Sequence, residues 1–175
     1  EFAHRYILGL YQVIQTLTDR FPHILFEACA SGGNRFDLGM LCFMPQIWAS
    51  DNTDAISRAR IQNSYSYGYP QSVIAAHVSG CPNHQTLRRT PLTSRFAIAS
   101  VGILGYECNL NDASMEDMEE IRAEIELYKK WRSVLQFGDW YRLYEEVDKK
   151  SIYDTDVIRW NIVSADKSRA VGIML

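Results

Sequence analysis

The chain has 175 residues, of which 47% are hydrophobic and 22% charged, and its formal net charge is −3. This composition is typical of a globular domain with a hydrophobic core and excludes the disordered and fibrous classes of protein. No run of lysine and arginine offers the basic surface that nucleic acids require, and no apolar stretch approaches the roughly 18 residues of a membrane span. We therefore expect neither a nucleic acid nor a membrane as a partner.

Helical and strand patterns alternate through residues 1–138. A helix comes first, because apolar residues recur every three or four positions; they are Phe2, Tyr6, Leu10, Val13, Ile14 and Leu17. Four short apolar runs then have the length and continuity of strands buried in a parallel sheet. The runs are residues 24–26, 46–49, 73–78 and 103–106, and a helical pattern follows each of them.

The alternation predicts an α/β fold with parallel strands. Four such units make half of a (β/α)₈ barrel, but the pattern alone leaves a small doubly wound sheet equally open. In both architectures, ligands bind at the carboxyl ends of the strands. The last and longest helix starts at a capping-box pattern, Ser114 and Asp117, shows a favourable pairing of Glu126 with Lys130, and stops at Gly138.

After Gly138 the pattern changes. Apolar residues alternate with a period of two around the turn-forming residues 164–168, which predicts a β-hairpin. This change indicates that a β-rich domain begins near residue 139. Because the chain opens inside a helical pattern and closes inside an apolar alternation, we expect it to be an excerpt of a longer protein.

Small residues follow the first predicted strand: Cys29, Ala30, Ser31 and Gly32. Small side chains let backbone amides approach a ligand closely, as the hydroxyl groups of a sugar require. The pattern is compatible with a substrate-binding loop. On spacing alone, however, a tight strand-to-helix turn with a contact between Arg35 and Asp37 is the favoured interpretation.

Two carboxylates follow the second predicted strand. Asp51 and Asp54 are three residues apart and cannot both cap the next helix, so at least one is free for another task. We expect Asp54 to cap the helix, Asp51 to face the site, and Trp48 to supply an apolar wall beside the carboxyl, which suits a general acid. A turn that merely starts at Asp51 remains open.

Cysteine and histidine suggest weaker alternatives. His77, Cys81 and His84 could ligate a metal, but no CxxC pair accompanies them, and we expect no metal and no cofactor. Cys29 has no histidine beside it in the sequence, so substrate contact suits it better than a nucleophilic role. The four cysteines are widely spaced, as suits reduced thiols, and we expect a cytoplasmic location.

Three ordered segments together closely resemble glycoside hydrolase family 36, which contains bacterial α-galactosidases and raffinose hydrolases. They are FEACASGGNRFDLGML at residues 26–41, PQIWASDNTD at residues 45–54 and PNHQT at residues 82–86. The resemblance extends from residue 1 to about residue 145. It implies that residues 1–138 are the C-terminal half of a catalytic (β/α)₈ TIM barrel and that residues 139–175 start a C-terminal β-sandwich domain.

The resemblance also implies a retaining mechanism that releases terminal α-galactosyl residues from oligosaccharides such as melibiose and raffinose. Asp51 matches the general acid/base, and the loop from Cys29 to Gly32 matches the segment that binds the galactosyl ring. The nucleophile of the family lies in a Lys-Trp-Asp motif that would precede Glu1 and does not occur here. Asn34 stands where many relatives have a third glycine.

The same resemblance leaves related activities open. A transglycosylase or an α-N-acetylgalactosaminidase would use the same machinery, and an isolated half barrel would be an inactive or merely sugar-binding fragment. We expect an α-galactoside oligosaccharide as the substrate, a homo-oligomer for the full-length enzyme, and no activity from this segment alone.

Overall fold

The computed structural model describes residues 1–29, 37–143 and 158–175. Its helices are α1 (Phe2–Arg20), α2 (Ala55–Tyr65), α3 (Leu92–Ala99) and α4 (Met115–Phe137). Its strands are β1 (Glu27–Ala28), β2 (Gln46–Trp48), β3 (Ile74–Ser79), β4 (Ile103–Glu107), β5 (Asp139–Leu143), β6 (Arg159–Val163) and β7 (Ala170–Met174). None of these helices is both long enough and apolar enough to span a bilayer.

The first four strands form one parallel sheet in the order β1-β2-β3-β4. Each pair is parallel, with Ala28 opposite Ile47, Trp48 opposite Ala75, and His77 opposite Gly105. Strands that are neighbours in the chain are therefore neighbours in the sheet, and all of them point the same way. The predicted α/β class with a parallel sheet is confirmed.

The last three strands form a separate antiparallel sheet in the order β5-β6-β7. The predicted hairpin is β6 and β7, whereas β5 was not predicted from the sequence. Trp140 and Trp160 meet edge to face, with ring centroids 5.0 Å apart, a geometry that aromatic pairs prefer. The antiparallel sheet starts directly after α4, where the change of pattern placed it.

Polar contacts tie the antiparallel sheet to the amino ends of the parallel strands. Gln71, just before β3, donates from Nε2 to the carbonyl of Gly138 at 2.7 Å. Arg142 in β5 donates from Nε to the hydroxyl of Ser66 and from Nη2 to its carbonyl, each at 3.0 Å. The second sheet is therefore fixed at the edge opposite the carboxyl ends of β1 to β4.

The first strand lies later in the chain than the sequence predicted. Residues 24–26 were expected to form a strand buried on both faces, but Ile24 is 46% exposed and Leu25 is 85% exposed. The strand is Glu27–Ala28, because β2 pairs with those two residues alone. At the edge of the described sheet, hydrophobicity without a pairing partner does not make a strand.

The apolar face predicted for α1 is largely exposed. The helix forms as expected, but Ile14 is its buried residue, and Phe2, Tyr6, Val13 and Leu17 are exposed. Packing against the core falls on the edge of the helix that carries Leu10, Tyr11 and Ile14. The apolar period therefore predicted the helix correctly, but only the part of its surface around Ile14 packs against the core.

The inner face of α2 is polar. Its buried residues are Ala55, Arg58, Ala59 and Gln62.

The Gln62 amide explains this burial. Its Nε2 donates to the carbonyls of Ile98 at 2.9 Å and Val101 at 3.1 Å, at the end of α3. Since the last carbonyls of a helix have no partner within the helix, Gln62 supplies one.

The long helix α4 begins at the predicted capping box. Ser114 and Asp117 exchange side-chain and backbone hydrogen bonds. Glu126 pairs with Lys129 at 2.8 Å, so the predicted partner Lys130 was wrong; the i,i+3 spacing also brings side chains together on a helix.

We expect Gln62→Leu to lower the free energy of unfolding by about 1–3 kcal/mol, because it removes the buried side-chain donor to the carbonyls of Ile98 and Val101. Thermal or denaturant unfolding of the intact protein measures the change. Gln12→Leu is the matched control, since Gln12 is an exposed position of α1. Equal effects of the two substitutions would contradict this role of Gln62.

A buried carboxyl should make stability depend on pH. Glu124 is 6% exposed, and its Oε2 accepts a hydrogen bond from Tyr106 at 2.7 Å. Burial raises the pKa of Glu124 above its ordinary value, although the Tyr106 hydrogen bond opposes the shift.

Between the ordinary pKa and the raised pKa, the folded state therefore keeps a proton on Glu124 that the unfolded state has already lost. The free energy of unfolding should fall as the pH rises through the interval between the ordinary and the raised pKa. Glu124→Gln should flatten this dependence when melting temperatures are compared between about pH 4 and about pH 8. Glu119→Gln, at an exposed position of α4, should leave the slope unchanged. An unaltered slope in Glu124→Gln would refute the assignment.

Candidate active site

The two predicted clusters lie at the same edge of the sheet. Cys29 follows β1 and Asp51 follows β2, and the parallel register of Ala28 with Ile47 brings these carboxyl ends together. Cys29 is exposed there. The remaining residues of the predicted sugar-binding loop, Ala30, Ser31 and Gly32, lie outside the described residues.

Asp51 is an exposed carboxyl held by one neighbouring side chain. Its Oδ1 accepts a hydrogen bond from the indole Nε1 of Trp48 at 2.8 Å. The sequence pointed to an apolar wall at Trp48; the structure instead places the polar edge of the indole against the carboxyl. This arrangement orients the carboxyl and leaves it accessible to a ligand that gives or takes a proton.

Asp54 is committed to the helix, as predicted. It is 1% exposed, and its Oδ2 accepts hydrogen bonds from the backbone amide of Ser57 at 3.0 Å and from its hydroxyl at 2.9 Å. Its Oδ1 accepts from the hydroxyl of Thr86 at 3.2 Å and lies 3.6 Å from Nε of Arg88. Since Asp54 caps α2, Asp51 is left free.

The PNHQT segment braces the loop that carries Asp51. Asn83 is 3% exposed and donates from Nδ2 to the Thr53 hydroxyl at 3.1 Å, while its Oδ1 accepts from the amides of Gln85 and Thr86 at 3.0 Å each. Gln85 returns a contact, because its Oε1 accepts from the Thr53 amide at 3.2 Å. The sequence gave this segment no structural role.

His77 and Glu107 lie beside Trp48, although the sequence suggested His77 only as a metal ligand and did not point to Glu107. Trp48 pairs with Ala75, two residues before His77, so Trp48 and His77 lie on the same face of the sheet. Their ring centroids are 4.7 Å apart, and Nδ1 of His77 lies 3.3 Å from Oε2 of Glu107. The available signal was the period of two along β3, which the sequence analysis did not use.

Arg58 approaches the same indole from α2. It is 2% exposed, and its Cζ lies 4.8 Å from the centroid of the Trp48 ring. Nη1 donates to the carbonyl of Ser50 at 3.1 Å, and Nη2 donates to the carbonyl of Ala75. Burial lowers the pKa of Arg58 to about 10, so the guanidinium remains charged at neutral pH.

The candidate metal ligands do not form a cluster in the described residues. Within residues 1–29, 37–143 and 158–175, no three histidine, cysteine or acidic side chains converge on a metal position. His77 contacts Glu107, while Cys81 and His84 are exposed in the following loop.

Comparison with known proteins gives consistent matches. The Melibiase family matches residues 1–138. Alpha-galactosidase 1 of Pediococcus pentosaceus is 46% identical over 98% of this chain and 22% of its own length. Alpha-galactosidase AgaA of Geobacillus stearothermophilus is also 46% identical, over 98% of this chain and 23% of its own length. The chain thus spans less than a quarter of these curated relatives.

Solved structures agree. One is the crystal structure of a variant of AgaA, a glycoside hydrolase family 36 α-galactosidase, in complex with raffinose. Its sequence is 45% identical to this chain and its TM-score is 0.89; the match covers 97% of this chain and 23% of that one. A crystal structure of another AgaA variant, in complex with stachyose, is 46% identical with the same TM-score and coverage.

Asn83→Ala should loosen the loop that carries Asp51, because the four hydrogen bonds of its side chain to Thr53, Gln85 and Thr86 disappear together. We expect faster amide hydrogen exchange at Gln85 and Thr86, and a loss of about 1–3 kcal/mol in the free energy of unfolding. His84→Ala is the adjacent control at an exposed position. Unchanged exchange in Asn83→Ala would show that the loop is held by other contacts.

Proposed function

Because this chain belongs to the Melibiase family and matches α-galactosidases of glycoside hydrolase family 36, we propose that the intact protein is a retaining α-galactosidase whose general acid/base is Asp51. The placement of Asp51 carries the proposal. It is exposed at the carboxyl edge of a parallel sheet, held by Trp48, and free of the capping task that Asp54 performs.

The fold supports a finer architecture. We place residues 1–138 in the C-terminal half of a (β/α)₈ barrel, because four parallel strands follow one another in the sheet in chain order. We place residues 139–175 at the start of a C-terminal β-sandwich domain, since an antiparallel sheet begins there. In a barrel of this kind, the carboxyl ends of the strands form the active face.

The proposed reaction has two steps. An upstream carboxylate attacks the anomeric carbon while Asp51, in its protonated form, donates a proton to the departing glycosidic oxygen. Asp51 then takes a proton from the water that attacks the galactosyl intermediate and releases galactose. Retention of configuration places the two carboxyl groups roughly 5–5.5 Å apart in the intact enzyme.

We propose α-galactoside oligosaccharides as substrates. Two related structures are complexes with raffinose and stachyose, and melibiose carries the same terminal sugar. The loop from Cys29 to Gly32 would contact the galactosyl ring, since Cys29 is exposed beside the strand that leads to Asp51. We also propose a cytoplasmic location, because the four cysteines are unpaired thiols.

Asp51→Ala in the intact protein should lower the rate with melibiose and raffinose by about 10²- to 10⁴-fold, because their sugar leaving groups need protonation. With an aryl galactoside whose phenol leaves without protonation, the first step should proceed at a rate close to that of the unaltered enzyme. Pre-steady-state release of the phenol measures this step separately from the second one.

Asp139→Ala is the control, an exposed aspartate in β5. It should leave the rates with both kinds of substrate unchanged. Equal losses on both substrate types in Asp51→Ala would remove the acid/base role from Asp51.

A further inference from the structure

We propose that His77 and Arg58 are positioning residues for Asp51 and that they act through Trp48. This inference rests on the proposed role of Asp51 as general acid/base. In the part of the chain that the structure describes, the hydrogen bond to the Asp51 carboxyl comes from the Trp48 indole. Whatever fixes the plane of that indole therefore fixes the carboxyl.

His77 is the first contact that fixes the indole. Its ring lies 4.7 Å from that of Trp48, and the planes are inclined by 34°. Glu107 at the end of β4 holds the imidazole through Nδ1 at 3.3 Å. Neighbouring strands thus link a carboxylate, an imidazole and an indole along one face of the sheet.

Gly105 makes room for this imidazole. It lies opposite His77 in the strand register, and a Cβ at residue 105 would lie 2.6 Å from Cδ2 of His77. A side chain larger than hydrogen would displace the ring, because no heavy atom approaches a Cβ so closely. The absence of a side chain at residue 105 is therefore part of the arrangement that places His77 against Trp48.

Arg58 is the second contact. Its guanidinium lies over the indole and donates to the carbonyl of Ser50, the residue directly before Asp51. A buried cation is costly unless its donors are satisfied, and the carbonyls of Ser50 and Ala75 supply part of that satisfaction. One side chain thereby holds both the ring that orients Asp51 and the backbone that carries it.

Four single variants of the intact protein test the proposal. Trp48→Phe keeps an aromatic ring but removes the N–H donor. His77→Leu removes the ring contact and the contact with Glu107. Gly105→Ala displaces His77 without changing it, and Arg58→Lys keeps the charge but loses the planar guanidinium.

For each variant, kcat/KM is measured with raffinose and with an activated aryl galactoside. A misplaced acid/base impairs the substrate that needs protonation, so the ratio of raffinose to aryl galactoside should fall by about tenfold or more in each variant. Glu119→Gln, at an exposed position of α4, serves as the unrelated control and should keep the ratio of the unaltered enzyme.

The double variant Trp48→Phe/His77→Leu distinguishes positioning of Asp51 through Trp48 from a general effect of His77 on the stability of the protein. If His77 acts through the indole N–H, then His77→Leu should lower the ratio no further once that N–H is absent. A further drop equal to that of the single variant, or equal losses on both substrates in the singles, would overturn the proposal. Gly105→Ala and Trp48→Phe decide the matter if His77→Leu or Arg58→Lys does not fold.

The outcome for Asp51→Ala keeps the two proposals apart. A selective loss in Asp51→Ala with unchanged ratios in the four variants would reject the positioning role and keep the acid/base. Equal losses on both substrates in Asp51→Ala would reject the acid/base itself.

Discussion

Parallel hydrogen bonding between β1, β2, β3 and β4 is the constraint on which the site depends. Because every pair runs in the same direction, residues that leave the strands at their carboxyl ends emerge at one edge, however far apart they are in the chain. Cys29 and Asp51 are 22 residues apart in the chain, Asp51 and Glu107 are 56 residues apart, and the parallel pairing brings all three to this edge. An antiparallel pairing at any step would send one of them to the opposite side.

Polar contacts beside this edge tie the loops to the start of α2. Asp54 caps α2, and Asn83 holds Thr53. Buried polar groups of this kind contribute little net stability when satisfied and cost much when one partner is lost. The loop around Asp51 is consequently held by several hydrogen bonds, as the proposed acid/base role requires of a group at a fixed distance from its substrate.

Sequence patterns predicted the alternation of helices and parallel strands in residues 1–138, the Asp54 cap and the Ser114 capping box, and the structure contains all three. The family was recognised by resemblance, and the comparisons confirm it. They failed where the outcome depends on distant partners. Residues 24–26 have strand composition but no paired neighbour. Gln62 looks like a surface residue until the end of α3 is packed beside it, and Arg58 looks like one until β2 and β3 are. Trp48 shows the same limit: its hydrophobicity is visible in the sequence, whereas the direction of its N–H follows from contacts with His77 and Arg58.

The antiparallel sheet is anchored far from the carboxyl edge, through Gln71 and Arg142 at the amino side of the parallel strands. Mutations that accumulate in β5, β6 and β7 therefore act at the amino side of the parallel strands, away from Asp51. During divergence, that sheet is free to acquire new surfaces while the carboxyl edge of the parallel sheet is inherited unchanged. Engineering of thermal stability has the same freedom, because the antiparallel sheet and the carboxyl edge lie on opposite sides of the parallel strands.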